Sequence, residues 1–416
     1  MTVVVGILNR RGAVMAADSA VTVSNAHGTK IYNSATKIFP LSGKFPVGVM
    51  IYNNASFMGT PLDVILELYR VQRGDQEFGT LKEYAENFLE FLAAENYFTN
   101  ADGQKSYFDS EVADFYGKII STIEARLEES CPEGPGDDAS ILESIAREVI
   151  ADAAEIYGKE DICEEFKDYH QRSMVSYGKD IFDEIENDLA EKGLPSSLRG
   201  DLENVFYAYI KSTLFYSGSG IVFVGYGKKD IYPSLLSMFL SGAFERRLRY
   251  MFVEDDAATV GGDCTATIKP FAQRDVIDNM IWGIHPDVER TVVNLNHNAV
   301  ESAREKILKE LEDSGVKQSV LDKVAAMDLN ETEKVFQDSL VDYERNNFID
   351  GILDAVDSFN MSDVANMAES LVSLTYLQRH ISSSEESVGG PVDVAVITKV
   401  NGFQWVKHKI WPPECQ

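Results

Sequence analysis

A chain of 416 residues, 44% hydrophobic and 25% charged, can hold one large domain with insertions or several domains. Its formal net charge of −29 argues against nucleic acid or an anionic membrane as partner, since both repel an acidic surface. No stretch approaches the ~18 uncharged apolar residues of a membrane helix, and no basic leader opens the chain. The four cysteines (Cys131, Cys163, Cys264, Cys415) have no metal or Cys-x-x-Cys spacing, so free thiols in the cytoplasm are expected, with no metal and no cofactor.

The chain opens with two apolar runs, Val3 to Leu8 and Ala13 to Ala17, split by Asn9-Arg10-Arg11-Gly12. Short apolar runs bounded by turn residues predict a β-hairpin, which would return Asp18 to the start of the first strand, beside Thr2. Ser19–Ser24 is a third extended run, Asn25–Gly28 a turn, and Val47–Tyr52 a buried strand. Helical spacing then takes over at 55–73 and 81–96. Residues 97–215 read as an acidic helical insertion, broken at Cys131-Pro132-Glu133-Gly134-Pro135. Strands return over 216–254, notably Gly220–Gly225. Residues 255–358 read as a mixed, mainly helical insertion, and 359–416 as the last core helix followed by two strands joined at Asn401-Gly402. With 1–96 as the first part of the core, this order predicts an α+β fold of αββα layering.

The expected chemistry starts at Thr2. A small second residue permits removal of Met1, which frees the Thr2 α-amine with a reference pKa of about 7.7–8.0. That amine can take the proton from its own Oγ, so no histidine is needed. A nearby cation keeps the amine neutral; Lys37 is the candidate, with Lys30 as rival, and Asp18 is the carboxylate a buried lysine needs. The strand ending at Tyr52-Asn53 is the source of a backbone N–H for an oxyanion, with Tyr52 the expected donor and Asn53 a residue that tolerates positive φ. Gly225-Tyr226-Gly227-Lys228-Lys229 lacks the Gly-Lys-Ser/Thr ending of a phosphate loop.

Ala16-Ala17-Asp18-Ser19 at this distance from Thr2, followed by Thr36-Lys37-Ile38, resembles the start of a proteasome β-subunit and of the bacterial heat-shock peptidase that works beneath an unfoldase ring. Val224-Gly225-Tyr226-Gly227 resembles that family's Val-Gly-Ser-Gly turn, and Ser387-Val388-Gly389-Gly390-Pro391 its segment after the last helix. The resemblance implies a four-layer αββα N-terminal-nucleophile (Ntn) hydrolase sandwich and a threonine peptidase. It also implies a peptide or protein substrate, self-assembly in closed rings, and an ATPase unfoldase as partner. It places Glu385 where the family has a supporting Asp, Tyr226 where it has Ser, and Val388 where it has a second Ser, with Ser219, Glu386 or Ser387 as substitutes. A non-catalytic assembly subunit and a small-amide hydrolase on the same fold remain open beside the peptidase.

Overall fold

The computed structural model describes residues 2–25, 28–94, 100–130, 139–262, 264–381 and 389–409. In chain order, β1 (Val3–Asn9) and β2 (Gly12–Ala17) lead to β3 (Val21–Asn25) and β4 (Gly28–Tyr32). Next come β5 (Ile38–Pro40), β6 (Val47–Asn53) and the short β7 (Ser56–Phe57) and β8 (Thr60–Pro61), then α1 (Leu62–Arg73) and α2 (Leu81–Ala94). A helical block holds α3 (Ala101–Ser130), α4 (Ala139–Gly158), α5 (Gln171–Tyr177), α6 (Lys179–Glu191) and α7 (Leu198–Lys211). Strands resume with β9 (Ser219–Gly225), β10 (Ser234–Phe244), β11 (Arg247–Thr259) and β12 (Ala266–Ala272). Then follow α8 (Asp275–Trp282), α9 (Pro286–Asp313), α10 (Gln318–Ala325), α11 (Asn330–Glu344), α12 (Asp350–Ser358) and α13 (Met361–Ile381). The hairpin of β13 (Asp393–Thr398) and β14 (Gly402–Lys407) completes the order.

Two five-stranded antiparallel sheets carry the core, in orders β12-β1-β2-β13-β14 and β11-β10-β9-β6-β5. Alternation along β1 explains why its run is apolar on both faces. Val4 and Leu8 join a cluster drawn from both sheets, with Met15, Met50 and Val222. Val3, Val5 and Ile7 turn the other way, onto α8, α12 and α13 through Ile277, Val356 and Leu371. The second sheet repeats the pattern: Val47, Val49 and Ile51 of β6 pack with Leu66 of α1 and Phe88 of α2.

The β1–β2 turn is anchored from inside. Asn9 is fully buried, and its Nδ2 donates to Val356 O (2.9 Å) and Phe359 O (3.1 Å). Its Oδ1 accepts from the N–H groups of Arg11 (2.9 Å) and Gly12 (3.3 Å). One amide thus satisfies a tight turn and ties it to the α12–α13 junction.

Helices α3–α7 form their own aromatic-rich core around Phe108, Phe115 and Phe206, sealed on the sheet side by Phe244 of β10. The seam holds a buried ion pair: Arg249 of β11 donates to Glu111 of α3 (3.0 Å) and to the carbonyls of Tyr209 (3.0 Å) and Leu214 (2.8 Å). Both side chains are almost wholly out of solvent. Removing one partner of such a pair leaves a buried charge alone. Glu111→Ala is therefore expected to destabilise the fold by about 3–5 kcal/mol in urea titration, whereas Glu111→Leu with Arg249→Met recovers part of that, the Tyr209 and Leu214 carbonyls still losing their donor.

The segment 255–358, assigned in sequence to an insertion, supplies core elements. β12 is the edge strand beside β1, with Val3 opposite Ala272, and α8 and α12 pack on that sheet. In contrast, α9 and α10 bury no residue. No helix among the described residues is long and apolar enough to cross a membrane.

Candidate active site

The hairpin register sets the site. Val4 lies opposite Ala17, so the next residue on each strand, Val3 and Asp18, meets just past the ladder. Asp18 N–H donates to Val3 O (3.2 Å), and Val3 N–H donates to Asp18 Oδ1 (3.0 Å). That same oxygen accepts from Lys37 Nζ at 2.7 Å. Oδ2 accepts from the backbone N–H groups of Ala20 (3.0 Å) and Gly389 (3.3 Å). One carboxylate thus bridges the backbone next to Thr2, the lysine ahead of β5, and the segment leading into β13. Thr2, Asp18 and Lys37 are all buried. Burial pushes the Lys37 ammonium below the ordinary lysine value, and Asp18 opposes that shift. Lys30 lies in β4, opposite Val23.

Thr2 is held from a second side. Its carbonyl accepts from Gln273 N–H (3.2 Å), just after β12. The preceding Ala272 takes φ 63°, a left-handed conformation costly for a residue with a Cβ. The Gln273 side chain accepts from Arg379 Nε of α13 (3.0 Å), and Arg379 also pairs with Asp275. No motif in the sequence marks Gln273 or Arg379; only the pairing of β12 with β1 brings them there.

The end of β6 differs from the sequence reading by one residue. Ile51 N–H donates to Lys37 O (2.9 Å), which points odd-numbered N–H groups toward β5, while Asn54 N–H donates to Gly218 O (3.2 Å) on the β9 side. Alternation therefore turns Tyr52 N–H toward its partner Gly220 in β9 and points Asn53 N–H to the Lys37 side. Asn53 sits at φ 62°, a conformation asparagine tolerates better than most residues. The Tyr52 ring lies against Gly220, where a Cβ would come within 2.0 Å of it, and 5.4 Å from the Phe271 ring. The Tyr52 N–H is thus turned to β9, away from Lys37, and its ring packs against Gly220 near Phe271.

Tyr226 lies elsewhere. β9 runs opposite to β6, pairing Gly225 with Val47 and Ser219 with Asn53. Tyr226 therefore packs at the far end of β6, about 20 Å along the strand from Asn53 at ~3.3 Å per residue, and cannot support Thr2. Ser219 is at the near end, but its hydroxyl donates to Ser56 O (3.2 Å). Glu385, Glu386, Ser387 and Val388 lie outside the described residues. Among the described residues no group of three or more His, Cys, Asp or Glu is placed to hold a metal.

No family model and no curated protein matches the chain. Among solved structures it is similar to a Gly-1 mutant of Anbu from Hyphomicrobium sp. strain MC1, with TM-score 0.31 and 9% identity over 98% of this chain and 86% of that one. A likeness at that level carries no argument, and the functional reading rests on the geometry of the chain itself.

Proposed function

We propose that this chain is a proteasome-like threonine hydrolase of the Ntn type, cleaving amide bonds in peptides through an acyl-enzyme on Thr2. The observation that carries the reading is the Asp18 carboxylate, whose Oδ1 joins Val3 N–H to the Lys37 ammonium directly beside Thr2. Two five-stranded sheets stacked through one cluster, with helices against their outer faces, support the four-layer αββα sandwich as its frame. Self-assembly into a ring, a cytoplasmic location and an unfoldase partner belong to the same reading.

Removal of Met1 converts the Thr2 amide into an amine, which accepts the Oγ proton as the oxygen attacks the substrate carbonyl. The negative charge that develops on the carbonyl oxygen is met by Asn53 N–H. Lys37 adds positive charge nearby and, by like-charge repulsion, keeps the amine neutral at working pH. The tetrahedral intermediate collapses as the Thr2 ammonium passes its proton to the departing amine, leaving an ester on Oγ. The regenerated amine then deprotonates a water, which attacks the ester and releases the acid, returning the proton to Oγ.

Thr2 is 6% exposed in the chain that still carries Met1, and a side chain left so covered once Met1 is removed would support a second reading, a non-catalytic assembly subunit on the same fold. Intact-mass and peptide mass spectrometry after treatment with a β-lactone probe separates them. An adduct on Thr2 of chains lacking Met1 is the expected result. Chains that begin at Thr2 and take up no probe would establish the assembly subunit instead.

A further inference from the structure

The Asp18–Lys37 pair is backed by a second, largely buried ion pair. Ser19 is a junction: its N–H donates to Gly389 O (3.0 Å), its hydroxyl to Pro391 O (2.6 Å), and its carbonyl accepts from Ala35 N–H (3.1 Å). Lys409, two residues past β14, brings Nζ to Ser19 Oγ (2.8 Å), Ala35 O (2.6 Å) and Asp393 Oδ2 (2.6 Å). An ammonium has three protons, and each has an oxygen here. The Asp393 side chain is 1% exposed and that of Lys409 12%. The other Asp393 oxygen accepts from Lys409 N–H (2.9 Å) and lies 3.3 Å from His408 Nδ1.

The segments this lysine joins are the ones that carry the first pair. Ser19 follows Asp18, and Ala35 precedes Lys37 by two residues. A buried ion pair is weak evidence for stability, because desolvation offsets most of the attraction. Two such pairs side by side point to positioning.

We propose that Lys409 and Asp393 form a positioning clamp, which holds the 18–20 and 35–37 segments together and so fixes the Asp18–Lys37 contact beside Thr2. Its catalytic consequence rests on the reading of Thr2 as nucleophile; its effect on Lys37 does not. The charged groups facing Lys37 are Asp18, Lys409 and Asp393, joined after Met1 removal by the Thr2 α-amine, which is the same in every variant compared. Lys409 pushes the Lys37 titration down and Asp393 pushes it up. Losing the clamp loosens the Asp18–Lys37 contact, the largest upward influence on Lys37, and Asp393→Asn also removes a second upward charge, so in that variant the Lys37 midpoint moves down. Lys409→Arg keeps the charge and leaves it near the wild-type position.

The test is a pH titration of the full chain carrying 13Cε-labelled lysine, followed by NMR, with the Lys37 signal assigned through Lys37→Arg. Wild type, Lys409→Met, Lys409→Arg and the isosteric Asp393→Asn are compared, together with the pH profile of kcat/KM on a fluorogenic peptide. The expected result is a downward Lys37 midpoint in Asp393→Asn and a roughly 10–100-fold lower kcat/KM in Lys409→Met, largely rescued in Lys409→Arg. Should Lys409→Met not fold, the downward shift in Asp393→Asn decides the matter. A folded Asp393→Asn protein whose Lys37 midpoint stays put, whatever its melting temperature, would overturn the clamp. Midpoints that move in a protein whose Thr2 takes no β-lactone would uphold the clamp and overturn the nucleophile.

Discussion

Replacement of Thr2 by alanine is expected to lower kcat for peptide hydrolysis by at least about 10⁴-fold, because it removes the Oγ nucleophile and leaves the α-amine base with no hydroxyl to activate. Thr2→Ser keeps the hydroxyl and the amine, and is expected to retain measurable turnover. A variant that keeps Met1 should fall as far as Thr2→Ala while leaving Oγ in place, since the amine is then tied up in a peptide bond and cannot act as base. The three variants assayed side by side separate the two roles of Thr2. Stability should barely change, because the carbonyl bond to Gln273 and the Val3 bond to Asp18 are made by backbone atoms. Full activity in Thr2→Ala would sink the mechanism.

The second large effect is on Asp18. Asp18→Ala removes at one stroke the acceptor for Val3, Ala20 and Gly389 N–H and for Lys37 Nζ. The buried ammonium is left without a counter-charge, a loss of about 3–5 kcal/mol. Denaturant unfolding checks this, and activity should vanish with it. The double variant Asp18→Ala with Lys37→Met removes the stranded charge, so it is expected to recover part of the stability and none of the activity. That contrast tells a stabilising pair from a working one. An Asp18→Ala protein as stable as wild type would mean that the carboxylate is not the hub described.

What could be read from the chain follows from how local the signals are. The strands β1 and β2 announce themselves as apolar runs around Asn9–Gly12, and β13 and β14 as runs around Asn401-Gly402, whose Gly402 takes φ 67°. Asp18 and Lys37 are close in sequence to the strands that place them. Strand β12 escaped because Pro270 interrupts a run that is tolerated only at a sheet edge, where it in fact sits. Tyr226 packs instead of supporting Thr2, since a match of letters to a Val-Gly-Ser-Gly turn says nothing about strand direction, and β9 runs against β6. Tyr52 and Asn53 differ by one residue, yet in a strand that step reverses the N–H. Gln273, Arg379, Asp393 and Lys409 reach the site only through pairings hundreds of residues long, which no local pattern encodes.

The order of strands in the first sheet has a further consequence. β2 sits between β1 and β13, so Ala16 finds its partner Val394 only after the long stretch between them has been made. A ribosome adding about 5–20 residues per second therefore leaves the outer edge of β2 unpaired for tens of seconds, and that of β1 until β12 is made. The helical block α3–α7, whose core is nearly self-contained, can collapse in that interval. Folding should then be slow in its last step and limited by closure of the longest loop. Because the clamp and Gly389 arrive with that step, the site would be assembled at the end of folding, after the bulk of the molecule is compact.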